Sequence, residues 1–344
     1  MTVCMDQPHR HAIEQVGSRY RYNYRFFLAT MQSFRGFQAP AGQPCVLTIG
    51  NFDGLHLGHQ ALLALLADRA RALGLPASVL TFEPHPREYF SPSDAPARLT
   101  SLREKLLLFD DNGVDHTHIQ RFDARFSSLS AEEFIQSVLV HGLKVRHLLI
   151  GDDFRFGTRR SGNFAMLQAA GCTHGFEVEA MPTLSVAGER ASSSAVRKAL
   201  EVGDLGHAAR LLGRPYSIAG QVMHGNRLGR EIGFPTLNIT LHHRRPALSG
   251  VFTVEVEGLH CPRLQGVANI GIRPTVGDTP QPRLEVHLLD FSGECYGAHL
   301  RIHFFHKLRD EIRFPSLDAL KKQIGLDTQA ARDWFSQHPS ALCG

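Results

Sequence analysis

The chain has 344 residues, 43% hydrophobic and 20% charged, and its 37 Lys+Arg against 33 Asp+Glu leave a formal charge of +4. That length implies about two domains, and the composition excludes a disordered chain, a collagen-like repeat and a small disulfide scaffold. The charge is too small for a nucleic-acid or membrane footprint, so neither partner is expected.

Residues 1–30 mix Arg10, Arg19, Arg21 and Arg25 with His and Tyr and carry no sustained apolar run. They read as a disordered extension outside the fold, dispensable for function. From Cys45 the pattern becomes apolar strand, glycine turn and amphipathic helix: Val46–Ile49, then Gly50 to Gly58, then Gln60 to Leu73 with Leu62, Leu63, Leu66 and Leu73 clustered on one face. Short apolar runs at 78–82 and 147–150 alternate with helical stretches at 101–109, 131–141 and 162–170. A parallel sheet flanked by helices follows. After a helix from about Ser194 and a polar stretch 203–214, the period shifts to two in Val251–Val256, 284–289 and 299–305. Strand-like runs without intervening helices predict a small antiparallel barrel, closed by one or two helices over 316–337. The junction is expected near Gly213.

The six cysteines (Cys4, Cys45, Cys172, Cys261, Cys295, Cys343) contain no Cys-x-x-Cys pair, so a reduced, cytoplasmic setting is expected and a zinc ribbon is not. With 20 histidines, metal binding through His9 and His11 or through His242 and His243 is a further alternative, but the histidines are too scattered for a metal site to be expected.

Two stretches carry candidate chemistry. In Gly50-Asn51-Phe52-Asp53-Gly54-Leu55-His56-Leu57-Gly58-His59 a strand feeds through a glycine turn into a helix, where free N–H groups favour an anion. His56 and His59 share one helical face and can steady charge on a phosphate. A tight turn with two surface histidines is the plain alternative. In 220–238 the glycines Gly225, Gly229 and Gly233 precede Pro235-Thr236-Leu237-Asn238, a loop able to cover phosphates beside oxygen donors for Mg²⁺. A barrel hairpin loop would look the same.

The wording of these stretches is more specific. GNFDGLHLGHQ, with 81-TFEPHP, 151-GDDFRFG and 192-SSSAVR, resembles the adenylyltransferase module of prokaryotic bifunctional FAD synthetases. The 220–238 stretch, with 266-GVANIGIRPT, 284-LEVHLLDF and 308-LRDEIRF, resembles the riboflavin kinase module of the same family. The resemblance implies a nucleotidyltransferase-type parallel α/β (Rossmann-like) domain over 31–212, then a small antiparallel β-barrel kinase domain with a C-terminal helix over 213–344. It implies riboflavin, FMN and ATP as substrates, FMN and FAD as products, Mg²⁺ as cofactor, and a monomer or weak homo-oligomer.

Residue by residue, the resemblance gives ATP phosphate contacts to His56 and His59, set in the loop Gly50 to Gly54, and to Ser193, Ser194 and Arg197. His85, Asp153 and Phe154 would line the flavin and adenine region. In the second module Gly225, Gly229, Arg230 and Asn238 would hold ATP, Thr236 and Asn238 Mg²⁺, Arg309 the flavin, and Glu285 would take the proton of the ribityl 5′-hydroxyl. Glu285 could equally be an ordinary outward-facing strand glutamate. A different adenylyl- or cytidylyltransferase is the nearest rival, and the second module speaks against it. A non-catalytic flavin sensor is the other, and the joint presence of His56, His59, Thr236, Asn238 and Glu285 speaks against that.

Overall fold

The computed structural model describes residues 31–186, 188–224, 233–241, 245–259, 263–273 and 281–339. The extension 1–30, the loop residues Gly225, Gly229 and Arg230, and the pairs His9/His11 and His242/His243 lie outside the described residues. The chain divides into two compact units, one containing Leu102–Ala191 and the chain through Pro96, the other Ala97–Ser101 and the chain from Ser192 onward.

In the first unit, β1 (Gln32–Arg35), β2 (Cys45–Ile49), β3 (Ala77–Glu83), β4 (His116–Arg121), β5 (Val145–Gly151) and β6 (Glu177–Met181) pair in parallel in the order β1-β4-β3-β2-β5-β6. Parallel neighbours need long crossovers. These are supplied by α1 (Leu57–Leu73), α2 (Leu102–Asp111), α3 (Ala131–Phe134, continuing as the π-helical run Ile135–Gly142) and α4 (Phe164–His174). Side chains alternate between the two faces of the sheet. Val46, Val79 and Leu149 pack with Leu63, Leu66 and Phe109 on one face, while Leu47, Ile49, Leu80 and Leu148 pack with Val138, Leu139 and Leu167 on the other. Burial on both faces is why β2 reads as a nearly continuous apolar run, interrupted only by Thr48. The chain steps from β2 outward to β3 and β4, then returns to place β5 on the other side of β2. Ligand crevices of such sheets open at the carboxyl ends of the strands where the order reverses, here between β2 and β5.

The second unit opens with α5 (Ser193–Glu201) and α6 (Leu205–Leu212). The stretch 203–214, expected to be polar, is mostly this second helix. Asp204 caps it, and Leu205, Ala208, Leu211 and Leu212 form an apolar face. That face and Val196, Ala199 and Leu200 of α5 join the core of the barrel. The apolar faces of both helices are thus buried with barrel residues, in the compact unit that takes in the chain from Ser192 onward.

The barrel comprises β7 (Tyr216–Met223), β8 (Leu237–Thr240), β9 (Gly250–Glu257), β10 (Leu264–Arg273), β11 (Gln281–Leu288) and β12 (His299–Arg309), closed in the order β8-β11-β10-β9-β12-β7 with every pair antiparallel. Val222, Ile239, Phe252, Val254, Ala268, Ile270, Leu284, Val286, Ile302 and Phe304 fill its interior. Residues between them in sequence face outward. A single helix, α7 (Leu317–Gln337), capped by Ser316, lies on part of that outer surface, where Ala331 meets Val251 and Val267.

Candidate active sites

In the first unit the loop after β2 enters the sheet's switch point. Gly50 N–H bonds Leu80 C=O at 3.1 Å, tying the loop to β3. Three of the next residues have positive φ: Phe52 (50°), Gly54 (80°) and Leu55 (41°). For Phe and Leu that backbone is costly, and such strain collects at functional loops whose surroundings over-determine it. Here the Phe52 ring is buried edge-to-face on Phe109, and Gln60 Nε2 donates to Leu55 C=O at 2.8 Å.

His56 is the N-cap of α1, its Nδ1 accepting from the His59 N–H at 3.4 Å. When neutral, that ring carries its proton on Nε2, which makes Nε2 a donor. The rings of His56 and His59 are stacked with centroids 3.7 Å apart. A Cβ on Gly58 would sit 3.1 Å from His56 Nδ1 and 3.4 Å from Ala191 C=O, so position 58 has to be small. Burial, then the charges of His56 and Lys105, hold the His59 imidazole well below its usual pKa. His59 is thus neutral near pH 7, and its Nδ1 is buried without a partner, as is Asn51 Oδ1. Lys105 of α2 is itself buried, a positive charge within reach of the imidazole pair.

The neighbouring strands bring two further segments to the same edge of the sheet. After β3, His85 caps the short helix Pro86–Phe90, with Nδ1 accepting from Arg87 N–H at 3.1 Å and Glu88 accepting from His85 N–H at 3.3 Å. After β5, Asp153 pairs with Arg190 at 2.6 Å, and Phe154 stacks on Phe156 with centroids 5.8 Å apart.

The second unit holds a different arrangement. Asn238 of β8 pairs with Glu285 of β11, Glu285 with Asn269 of β10, Asn269 with Val251 of β9, and Val251 with Arg309 of β12. The residues flanking them, Ile239, Leu284, Val286, Ala268, Ile270 and Phe252, point into the barrel, so this whole line faces outward. Glu285 is half-buried there, and the Asn269 Oδ1 is buried without a partner. Arg309 is held at the far end by Asp327 of α7, with Nε to Oδ1 at 3.0 Å and Nη2 to Oδ2 at 2.7 Å, and Gln323 adds a bond to Asp327 at 2.9 Å. The carboxylate of Glu311 lies where a Cβ on Gly271 would stand, so the chain after β12 folds back over β10. At the other end His287 Nδ1 meets Pro235 C=O at 2.9 Å and Phe234 packs edge-on against the His287 ring, which fixes the approach to Thr236.

Two family models match the chain, one described as FAD synthetase over residues 38–195 and one as riboflavin kinase over residues 212–335. A bifunctional riboflavin kinase/FMN adenylyltransferase of Pseudomonas fluorescens is 50% identical over 306 residues, which is 88% of this chain and 97% of the relative. The chain belongs to the bifunctional riboflavin kinase/FMN adenylyltransferase family. The protein of that name from Escherichia coli (strain K12) is also 50% identical, over 87% of this chain and 95% of its own length. A solved structure described as a macrolide-efflux protein from Streptococcus pneumoniae matches 88% of this chain and 99% of its own, with a TM-score of 0.74 and 28% identity. Among the described residues no helix is long and apolar enough to cross a membrane.

Within the FAD synthetase match, the structure brings Gly50, Asn51, Phe52, Asp53, Gly54, His56 and His59 into one loop and helix start. Ser193 and Ser194 open α5, where Ser192 is the capping residue, and Arg197 Nε donates to Ala97 C=O at 2.6 Å, all within the second compact unit. Within the riboflavin kinase match, Asn238, Glu285 and Arg309 fall on one line of strand pairing, and Thr236 lies two residues before Asn238. Lys105 and Asn269 carry no local signal in the sequence. Leu102-Arg103-Glu104-Lys105 looks like a solvated helix face, and only packing shows that Lys105 is buried. Asn269 stands within the 266–275 stretch, but its position beside Glu285 depends on register.

Proposed function

We propose that the two activities of this family are divided between separate sites: FMN adenylylation at the His56/His59 loop of a module spanning 31–212, and riboflavin phosphorylation along the Asn238–Glu285 line of a module spanning 213–344. The observation that carries this reading is that each match contains its own polar constellation, built on a different architecture. ATP is the substrate of both steps; phosphorylation of riboflavin gives FMN, and adenylylation of FMN gives FAD.

In the adenylylation step a phosphate oxygen of FMN attacks the α-phosphorus of ATP and pyrophosphate leaves. The chain has to position both reactants and stabilise charge, and no covalent enzyme intermediate is needed. His56 offers an Nε2–H donor, α1 offers free N–H groups, and Lys105 adds fixed positive charge nearby. A neutral His59 donates a hydrogen bond without repelling Lys105. Asp153, Phe154 and His85 are proposed to line the flavin and adenine region. His85 does so with Nδ1 already committed to its helix cap. Ser193, Ser194 and Arg197 are proposed ATP contacts on the resemblance alone.

In the kinase step Glu285 accepts the proton of the ribityl 5′-hydroxyl as that oxygen attacks the γ-phosphorus and ADP leaves. Thr236 and Asn238 supply a hydroxyl and an amide oxygen, neutral hard donors of the kind Mg²⁺ takes when it arrives with nucleotide phosphates and keeps several waters. This suits a cation shared with ATP, since no group of three or more His, Cys, Asp or Glu among the described residues could hold a metal by itself. Mg²⁺ would neutralise charge on the phosphates. Arg309 is proposed to meet the flavin, and Gly225, Gly229 and Arg230 to cover ATP. A cytoplasmic setting fits the free thiols of Cys45, Cys172 and Cys295.

The test is incubation with riboflavin, ATP and Mg²⁺, with FMN and FAD separated by chromatography. Wild type should form FMN and then FAD, and a variant lacking both imidazoles should stop at FMN. Loss of both products together in a folded variant would overturn the division.

A further inference from the structure

Asn269 lies in β10 between Ala268 and Ile270, which point into the barrel, so its amide projects from the outer surface. On one side its strand partner is Val251, and on the other Glu285. Directly paired antiparallel residues have Cβ atoms roughly 5 Å apart, so the amide borders the Glu285 carboxylate. Its Oδ1 is shielded and has no hydrogen-bond partner. A shielded acceptor without a donor is a cost that native structures keep only for a reason. Val251 has no donor to offer, and an ionised Glu285 is itself only an acceptor.

The nearby groups narrow what the donor can be. Ala331 of α7 covers Val251 and Val267, leaving Asn269 at the border between that apolar contact and the polar pair Glu285 and Asn238. Strands are spaced by about 4.8 Å, so a flexible chain placing its terminal hydroxyl at Glu285 passes Asn269 one strand earlier. A second carboxylate or phosphate is a poor candidate, because both Oδ1 and Glu285 accept rather than donate. A hydroxyl donates to an amide oxygen.

We infer that Asn269 binds the polyhydroxy side chain of the flavin substrate, its Oδ1 accepting from a ribityl hydroxyl next to the one that Glu285 deprotonates. This rests on the reading of Glu285 as the base. Asn269 is therefore a determinant of which flavin is phosphorylated, selecting for the hydroxylated chain rather than for the ring system or for ATP.

The experiment uses the full chain and compares riboflavin with lumiflavin, a flavin without the ribityl chain, as a competitive inhibitor of the kinase. Asn269→Ala should lower kcat/KM for riboflavin about tenfold, the usual scale for losing one such hydrogen bond, while KM for ATP and lumiflavin inhibition stay within about twofold. An unchanged kcat/KM, or equal weakening towards riboflavin and lumiflavin, overturns the inference. Should the Ala variant fail to fold, Asn269→Asp keeps shape and acceptor but sets a second carboxylate beside Glu285. It should move the acidic limb of the kinase pH profile upward, since a like charge disfavours ionisation of the base. An unmoved limb places residue 269 away from the base and overturns the inference as well. Glu285→Gln, measured in parallel, separates the two readings. Full turnover in that variant removes the base, whereas an inactive Glu285→Gln beside a normal Asn269→Ala removes only the ribityl contact.

Discussion

The two proposed sites of this chain would solve phosphate chemistry by opposite routes. At the proposed adenylylation site one loop of ten residues, Gly50 to His59, brings strained backbone, a helix start and two stacked imidazoles together, and the sheet behind it supplies the crevice. At the proposed kinase site no short segment suffices. Arg309, Val251, Asn269, Glu285 and Asn238 come from five strands and meet only because the barrel closes in one register. The first site is local and pre-set by backbone geometry, and the second exists only once long-range pairing is complete.

Removing the local machinery tests that contrast most severely. Replacing His56 and His59 together by Ala deletes both donors, and single donors of this kind are worth about 10²–10³ in kcat, so FAD formation should fall at least a thousandfold. FMN should accumulate, as read by chromatography. Normal FAD output would remove the imidazoles from the chemistry. Glu285→Gln comes next. It keeps shape and hydrogen bonding while removing the proposed base, and phosphorylation should fall about 10²–10⁴-fold with adenylylation of supplied FMN unaffected. A parallel loss of adenylylation in a folded variant would break the separation of the two sites.

How far each site can be read without a structure follows the same divide. The His-x-Gly-His stretch is legible because its strand, turn and helix are contiguous, and β2 and α1 fall where their apolar patterns put them. Edge and near-edge strands are less legible. β4 reads His-Thr-His-Ile-Gln-Arg and β6 reads Glu-Val-Glu-Ala-Met, with too few apolar residues to declare a buried strand. Helix α6 hides its apolar face among Asp204, His207 and Arg210. In the barrel the strands are visible by period two, but periodicity says nothing about partners. That Asn269 stands beside Glu285, or that Asp327 holds Arg309, depends on register and on where α7 lands.

A smaller change sharpens what is special about the local site. Gly58→Ala puts a methyl group 3.1 Å from His56 Nδ1 and 3.4 Å from Ala191 C=O, closer than most Cβ contacts. The ring has to yield by a few tenths of an ångström, and displacement of a positioned group costs activity steeply. Adenylylation kcat/KM should drop about tenfold, with phosphorylation unchanged. Stability need not suffer, because Ala is about 1 kcal/mol better than Gly inside a helix. An unaltered kcat/KM for FMN would show that the spacing of the two rings does not depend on the glycine.

The smallest effect at neutral pH concerns a histidine outside both sites. His118 in β4 is buried, stacked on Phe34 at 5.3 Å, with its Nδ1 unpartnered. Burial, with the charge of His116 adding to it and a backbone bond to Gly36 opposing it, brings its pKa down from 6.5 to about 4. Above pH 6.5 the ring is neutral folded and unfolded, and it leaves stability unaffected. Between pH 6.5 and 4 the unfolded chain takes up a proton that the folded unit refuses, so stability falls as the pH falls, and this contribution levels off below the folded value. The loss should reach about 2 kcal/mol near pH 4.5. His118→Gln cannot titrate, so urea unfolding at pH 7, 5.5 and 4.5 should show a shallower decline than in wild type. Equal slopes would mean that β4 is open enough for the ring to take its proton in the folded state, and the sheet would then be less closed at its β1 edge than at the β2–β5 crevice.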